Sequence, residues 1–285
     1  MLLQDFQPSD ALRHLIKCYR IIHFTWGAGE AIPCKVYPPK PEQVLHFFLN
    51  NPLVIETGKE RRSDLPLVLF TGQQTSMVKQ TTGQHFTGVQ IVFQPTAVYQ
   101  LTGVPATETT GCFFDARVFF PAAIEVTLQK MQNAASYREL LSLAEDLAIY
   151  LAGQAKKQPL PIDQACQLLV RRHGAASVEW LARESCLSMK QFKRKFEERV
   201  GVNPKAYARL LRFIRAYNTK NCFPQKEWSV IATRCNYADY QHLAKDYKQF
   251  TGLTPQQFHL HEINSPENVL GLSKALYRSR YFATD

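Results

Sequence analysis

The chain has 285 residues, 45% hydrophobic and 12% aromatic, which excludes a disordered chain and leaves room for two domains with cores of their own. Its formal net charge is +10, unevenly spread: residues 158–262 hold 17 Lys and Arg against 9 Asp and Glu, whereas residues 1–157 hold 14 against 13. A basic excess confined to one segment points to a polyanionic partner for that segment.

In chain order, Ser9 is placed to cap a short helix that runs into a strand through "IKCYRIIHF". As far as about Arg117 the pattern is mostly β. "PCKVYPP", "VLHFFLN", "LPLVLFTG", "TSMVKQTTG" and "FTGVQIVFQP" are short β-branched or aromatic runs punctuated by Gly, Pro, Asn and Thr. Many short strands at this spacing predict a barrel or a sandwich. From Pro121 the character becomes helical. Leu140, Leu143, Ala144, Leu147, Ala148 and Leu151 recur at spacings of three and four on a helix ending near Gly153, a stripe that serves either as core or as a dimer seam. Residues 154–161, "QAKKQPLP", read as a linker.

Beyond the linker everything is helical to about His261. Gly174 stops the first helix, Ser177 starts "VEWLARES", and Ser188 with Gln191 three positions on makes a capping box for "MKQFKRKFEERV". Gly201 ends that helix, and Pro204 opens a long one running to about Asn218. Then the pattern restarts. Aligned on Gly201 and Gly252, Phe192 meets Leu243, Phe196 meets Tyr247, Pro204 meets Pro255 and Tyr207 meets Phe258, an offset of 51. Upstream, Leu181 and Ala182 meet Ile231 and Ala232 at an offset of 50, so the second copy has one extra residue in its turn. Each copy reads as helix, tight turn, helix.

Spacing separates two faces on the second helix of each copy. Phe192, Phe196 and Val200 must face a core, leaving Met189, Lys190, Lys193, Arg194 and Glu197 opposite; Leu243, Tyr247 and Phe250 leave Tyr240, Gln241, Ala244 and Lys245. Lys, Arg and Gln on a helix that fits the major groove are the donors and acceptors that read base edges.

Residues 160–262 resemble the DNA-binding domain of the AraC/XylS family of bacterial transcription regulators, through "LARESCLSMKQFKRKFEERVGVNPKAY" and "IATRCNYADYQHLAKDYKQFTGLTPQQF". The resemblance implies two helix-turn-helix units on a linking helix. It carries base reading onto Lys190, Lys193 and Arg194, beside Met189, and in the second copy onto Tyr240, Gln241, Ala244 and Lys245. Ala244 offers no hydrogen bond, and Lys245 stands where arginine is usual, so the first copy is expected to read most sharply. Phosphate contacts are expected from Ser188, Lys195, Arg209, Arg212, Arg215 and Lys248, with Arg212 the most suited to pack or pair between the units and with Lys195 and Arg199 placed either to touch phosphates or to flank the core. "VQIVFQPTAVYQLTGVPATE" resembles a sensor-like domain found ahead of such units.

The expected architecture is α+β: residues 1–155 a mainly β sensor domain followed by helices, 156–262 an all-α tandem helix-turn-helix domain, and 263–285 a tail that packs through Leu272, Leu276 and Tyr277 or stays loose. The expected partners are double-stranded DNA, RNA polymerase, a small-molecule effector of unknown identity and a second copy of the chain. No apolar run is long enough for a bilayer and the first residues show no secretory leader, so a cytoplasmic location without membrane contact is expected. Neither a metal nor another cofactor is expected: His14, His23, His46 and His85 stand singly, and the seven cysteines, with no Cys-x-x-Cys pair, are read mostly as small buried hydrophobes. Trp26, Tyr37, Phe47 and Phe48 are read as core or pocket lining. An enzyme fused to the DNA-binding part would need an activated nucleophile that is not visible here, and an RNA-binding module a stacking sheet motif.

Overall fold

The structure, a computed structural model, describes residues 1–58 and 60–282. The N-terminal strands are β1 (Leu2–Phe6), β2 (Ile16–Thr25), β3 (Lys35–Tyr37), β4 (Val44–Phe48), β5 (Val54–Thr57), β6 (Glu60–Arg62), β7 (Val68–Thr71), β8 (Val78–Thr81) and β9 (His85–Phe93). After α1 (Ala97–Thr102) and the short strand β10 (Phe113–Asp115) come α2 (Pro121–Gln132) and α3 (Tyr137–Gly153). The strands form two antiparallel sheets, ordered β1-β2-β9-β4-β7-β10 and β3-β8-β5-β6, with no closed barrel. Ser9 precedes a single 3-10 turn, Asp10–Leu12, instead of a longer helix, and makes no side-chain cap bond.

The large sheet is apolar on both faces because its strands alternate. Tyr19, Ile21, Leu45, Phe47, Val89 and Ile91 pack beneath α1, α2 and α3, while Phe24, Phe48, Leu69 and Phe86 face Ile55 and Val78 of the small sheet. Trp26, Phe47 and Phe48 are core, whereas Tyr37 lines a cavity between the sheets. Leu140, Ala144, Leu147, Ala148 and Leu151 are spent against the sheet, so the leucine stripe is core and not an open seam. Of the cysteines only Cys18, Cys166 and Cys235 are buried; Cys34, Cys112 and Cys186 are exposed, Cys222 is intermediate and all seven are free thiols, which corrects the expectation that most are buried.

The C-terminal part is all helical: α4 (Pro161–Arg171), α5 (Val178–Glu184), α6 (Met189–Val200), α7 (Pro204–Cys222), α8 (Trp228–Arg234), α9 (Tyr240–Thr251), α10 (Pro255–Ile263), α11 (Pro266–Val269) and α12 (Ser273–Phe282). The long helix α7 runs four residues past the predicted end. It serves both flanking cores, giving Tyr207 and Leu211 to one and Leu210, Phe213 and Tyr217 to the other. The tail is docked as α11 and α12, with Leu276 and Tyr277 buried, and residues 283–285 lie outside those described.

A buried charge cluster ties the N-terminal strands to this part. Lys35 Nζ on β3 donates to Glu262 Oε1 at 2.5 Å and pairs with Glu267 Oε1 at 2.8 Å. The hydroxyls of Tyr217 and Tyr277 donate to Glu262 at 2.6 and 2.5 Å. Burial acts to raise the Glu262 carboxyl, but the Lys35 ammonium and these donors outweigh it and hold it below its usual range. Burial likewise acts to lower the Lys35 ammonium, and Glu267 and Glu262 outweigh that, raising it. The depressed carboxyl stabilises the fold above about pH 4 and stops doing so as pH falls through its folded value; the raised ammonium stabilises below about pH 10 and stops as pH rises through its own. Urea unfolding of wild type against Glu262→Gln should therefore show a difference on the order of 2 kcal/mol at neutral pH that shrinks on acidification below about pH 4. A pH-independent difference would contradict the assignment.

Candidate nucleic-acid interface

Each helix-turn-helix unit is built by the same local chemistry. Ser177 and Ser188 cap α5 and α6 through their hydroxyls, and Ser188 with Gln191 completes the capping box. Between them, four residues turn the chain, with Cys186 at φ 53°. The second unit turns over five residues, with Asn236 at φ 61° in the equivalent place, and Asp239 caps α9 by accepting from His242 N at 2.9 Å. That bond holds the Asp239 carboxyl below its ordinary range. In both units the chain after the turn is pinned alike, Leu187 N–H donating to Ala182 O and Tyr237 N–H to Ala232 O, each at 3.0 Å. Ala182 and Ala232 are buried where the helices meet, where a larger side chain would hold them apart.

The division of faces follows. Phe192, Phe196 and Val200 are buried in the first unit, and Leu243, Tyr247 and Phe250 in the second. On α6 this leaves Lys190, Lys193 and Arg194 exposed, Met189 partly packed on the core and Glu197 half-buried. On α9, Tyr240, Gln241 and Lys245 are exposed and Ala244 is intermediate. Apart from Met189, which packs partly on the core, the candidate base-reading residues lie on the side of their helices away from it.

The cations expected at phosphates divide into two groups. Lys195 and Arg215 are half-buried at the surface, and Ser188 is exposed at the start of α6. Lys248 Nζ donates to Gly252 O at 2.7 Å and so closes the end of α9. Arg209 and Arg212 are committed inside the second unit. Arg209 Nη2 donates to Asp246 Oδ1 and to Gln249 Oε1, both at 2.5 Å, and Asp246, 4% exposed, also accepts from Tyr237 at 3.0 Å. Arg212 lies 5.4 Å over the Tyr237 ring and donates to Asn236 O at 3.5 Å, both in the second unit, where a place between the two units was expected.

Sequence reasoning did not find the contacts that seat α6 on the N-terminal part. Arg199, 4% exposed, donates twice to Asp163 at 2.8 and 3.0 Å and covers the Tyr99 ring at 4.7 Å. Tyr99 donates to Glu198 at 2.9 Å, and Thr110 Oγ1 donates to Gly201 O at 3.0 Å. Gly201 needs its φ of +93°, and a Cβ there would come within 2.2 Å of Thr110 Oγ1. Arg199 lies one turn from Phe196 and faces α4, so of the two places open to it, phosphate or core, these contacts put it beside the core.

Comparisons with known proteins match this geometry. Residues 181–260 match the family described as "Helix-turn-helix domain", and residues 4–115 match a "Domain of unknown function (DUF6597)". Residues 181–260 are a helix-turn-helix domain. No curated protein matches the chain. Among solved structures, ToxT from Vibrio cholerae O395 aligns with 7% identity over 85% of this chain and 96% of its own, at a TM-score of 0.45. ToxT bound to (E)-4-(8-methylnaphthalen-1-yl)but-3-enoic acid gives 7%, 85%, 98% and 0.46, and the AraC-like transcriptional activator CuxR gives 13%, 76%, 87% and 0.25. No helix among the described residues is long and apolar enough to cross a membrane.

Arg209→Ala should destabilise the second unit by about 2–4 kcal/mol in urea unfolding, because it strips a buried carboxylate of its cation, and should leave the salt dependence of DNA binding unchanged. Wild-type stability with a shallower salt slope would show Arg209 to be a phosphate contact instead.

Proposed function

We propose that the chain is a DNA-binding transcription regulator of the AraC type whose α6 and α9 enter two successive major-groove segments of one duplex, with residues 156–262 as the DNA-reading part and residues 1–155 as a sensor part. The observation that supports this is the pair of equivalent, outward faces on two capped helices built on one continuous helix, α7. In this reading Lys190, Lys193 and Arg194 discriminate bases, and Met189 adds apolar contact. Tyr240, Gln241 and Lys245 contribute from α9, where Ala244 supplies shape without a hydrogen bond. Ser188, Lys195, Arg215 and Lys248 set position on the phosphates, with Arg209 and Arg212 bracing the helix that presents them.

The same reading gives the chain a cytoplasmic, non-enzymatic role in which a small molecule acts on residues 1–155, RNA polymerase is a protein contact, and a second copy is met through the helical side of the N-terminal part. Ile149 and Tyr150 on α3 and Val126 on α2 are exposed there, and they, not the buried leucine stripe, are the side chains available for a second copy. ToxT has been solved with an unsaturated fatty acid bound, a property of that protein. For this chain the ligand is argued below from its own cavity.

Lys190→Ala and Arg194→Ala are each expected to lose about 1–3 kcal/mol on the cognate duplex and to relax its base preference, measured by titration of cognate and scrambled duplexes. Lys195→Ala should weaken both duplexes alike and reduce the salt slope by about one. Equal losses on both duplexes for Arg194→Ala would take that residue off the base-reading face.

A further inference from the structure

A cavity of about 100 Å³ lies between the two sheets, and the chain closes it with its own C-terminal segment: Glu267, Leu276 and Tyr277 stand in its wall opposite Arg20, His46 and Gln90 of the large sheet. The charges in that wall are already matched. Arg20, 4% exposed, donates through Nε to Asp5 at 2.6 Å and through Nη1 to Gln90 at 3.0 Å, with Glu42 at 3.5 Å. Glu267 is held by Lys35. His46 is locked between the Gln90 amide at 3.1 Å and Thr71 at 3.0 Å, and burial together with Arg20 lowers it to about 3, so it stays neutral. The unused polar groups are amides. Gln80 makes no side-chain hydrogen bond among the described residues, and Gln74 uses only its NH₂, on Gly72 O and Cys112 O. Lys40 also lines the cavity, its ammonium 4.9 Å over the Tyr37 ring, and the remaining lining is largely apolar, including Val44, Val78 and Leu276.

A cation entering such a site would find only carboxylates already paired, and an anion only the Lys40 ammonium already seated over the Tyr37 ring, each at the cost of its hydration. A neutral group that both donates and accepts suits Gln80 and Gln74. A dry cavity of about 150 Å³ takes benzene, so this one holds roughly four non-hydrogen atoms. We propose that this cavity binds a small uncharged molecule with a hydrogen-bonding head and a short apolar tail, and that residues 264–278 are the wall through which its occupancy reaches α7. The physical route is short. Tyr277, in the cavity wall, is hydrogen-bonded to Tyr217 of α7 at 2.7 Å and to Glu262 of α10, so a ligand that packs on Leu276 and Tyr277 tightens the seat of the second helix-turn-helix unit. This deepens the reading of residues 1–155 as a sensor part and rests on it.

The test uses the full chain and three matched probes, acetamide, acetate and ethylammonium, followed by the methyl resonances of Val44, Val78 and Leu276. Acetamide should shift them saturably in the millimolar range, with either ion weaker by about tenfold or more, and should slow hydrogen exchange in residues 266–278. Val78→Phe, which fills the cavity, should abolish the shifts at Val44 and Leu276 while DNA binding without probe stays near wild type. Equal or tighter binding of acetate or ethylammonium, or no response to any probe at tens of millimolar, overturns the site. Acetamide binding with unchanged exchange in residues 266–278 overturns the role of the tail. Loss of DNA binding by the wild-type chain without probe would instead strike at the DNA-reading assignment, leaving the two failures distinguishable.

Discussion

What the structure depends on is the single-sidedness of α6 and α9. A helix that buries an aromatic or aliphatic residue every three or four positions has no freedom about what it shows on the other side. Burial of Phe192 and Phe196, both fully inside, contributes on the order of 2–3 kcal/mol each, far more than any exposed lysine on the same helix could gain by turning inward. The cationic face of α6 is thus a consequence of its core face. The second unit repeats the device with Leu243 and Tyr247, and α7 joins the two cores by lending side chains to both.

The N-terminal part touches each unit at a different point. It grips the first through Tyr99, Thr110 and the end of α6, and the second through Lys35 and the Glu262 cluster. The placement of the two reading helices is therefore set by α7 from within and by the β-rich part from behind. That arrangement gives any event between the sheets a short path through packed side chains to α7 and the second unit, because residues 270–277 belong to both neighbourhoods. Leu270 and Leu272 pack on the inter-sheet core while Tyr277 packs with Phe258 and Tyr217 of the second unit.

Much of the C-terminal part was legible in the sequence because its signals are local. Caps at Ser177 and Ser188, stops at Gly201 and Gly252, the extra residue in the second turn and the inward aromatic rows all depend on neighbours within a few positions. The N-terminal part was legible as β, with a barrel and a sandwich both open, and the two sheets decide against the closed barrel. A short strand such as Phe113–Asp115 is defined by a partner far away in sequence, Leu69–Thr71, and β1 has little local pattern to mark it. The cavity had a signal that went unread. Arg20, His46 and Gln90 each interrupt an otherwise apolar strand, and on paired strands such interruptions meet. Gln90 sits in register with both Arg20 and His46, which is how three polar residues come to share one buried wall. The ion pairs of Arg199 and Arg209 were not legible for a related reason: a charge's partner, Asp163 or Asp246, is visible only once the helices are packed.

Selection of binding sites from a random duplex library by the full-length chain puts the twin-helix account to the most direct test. If α6 and α9 read one face of a duplex together, the enriched sequences will carry two constrained clusters spaced by about one helical turn, roughly 10 base pairs, with the sharper constraint under the α6 cations. Enrichment of a single cluster, or of none above background, would contradict it.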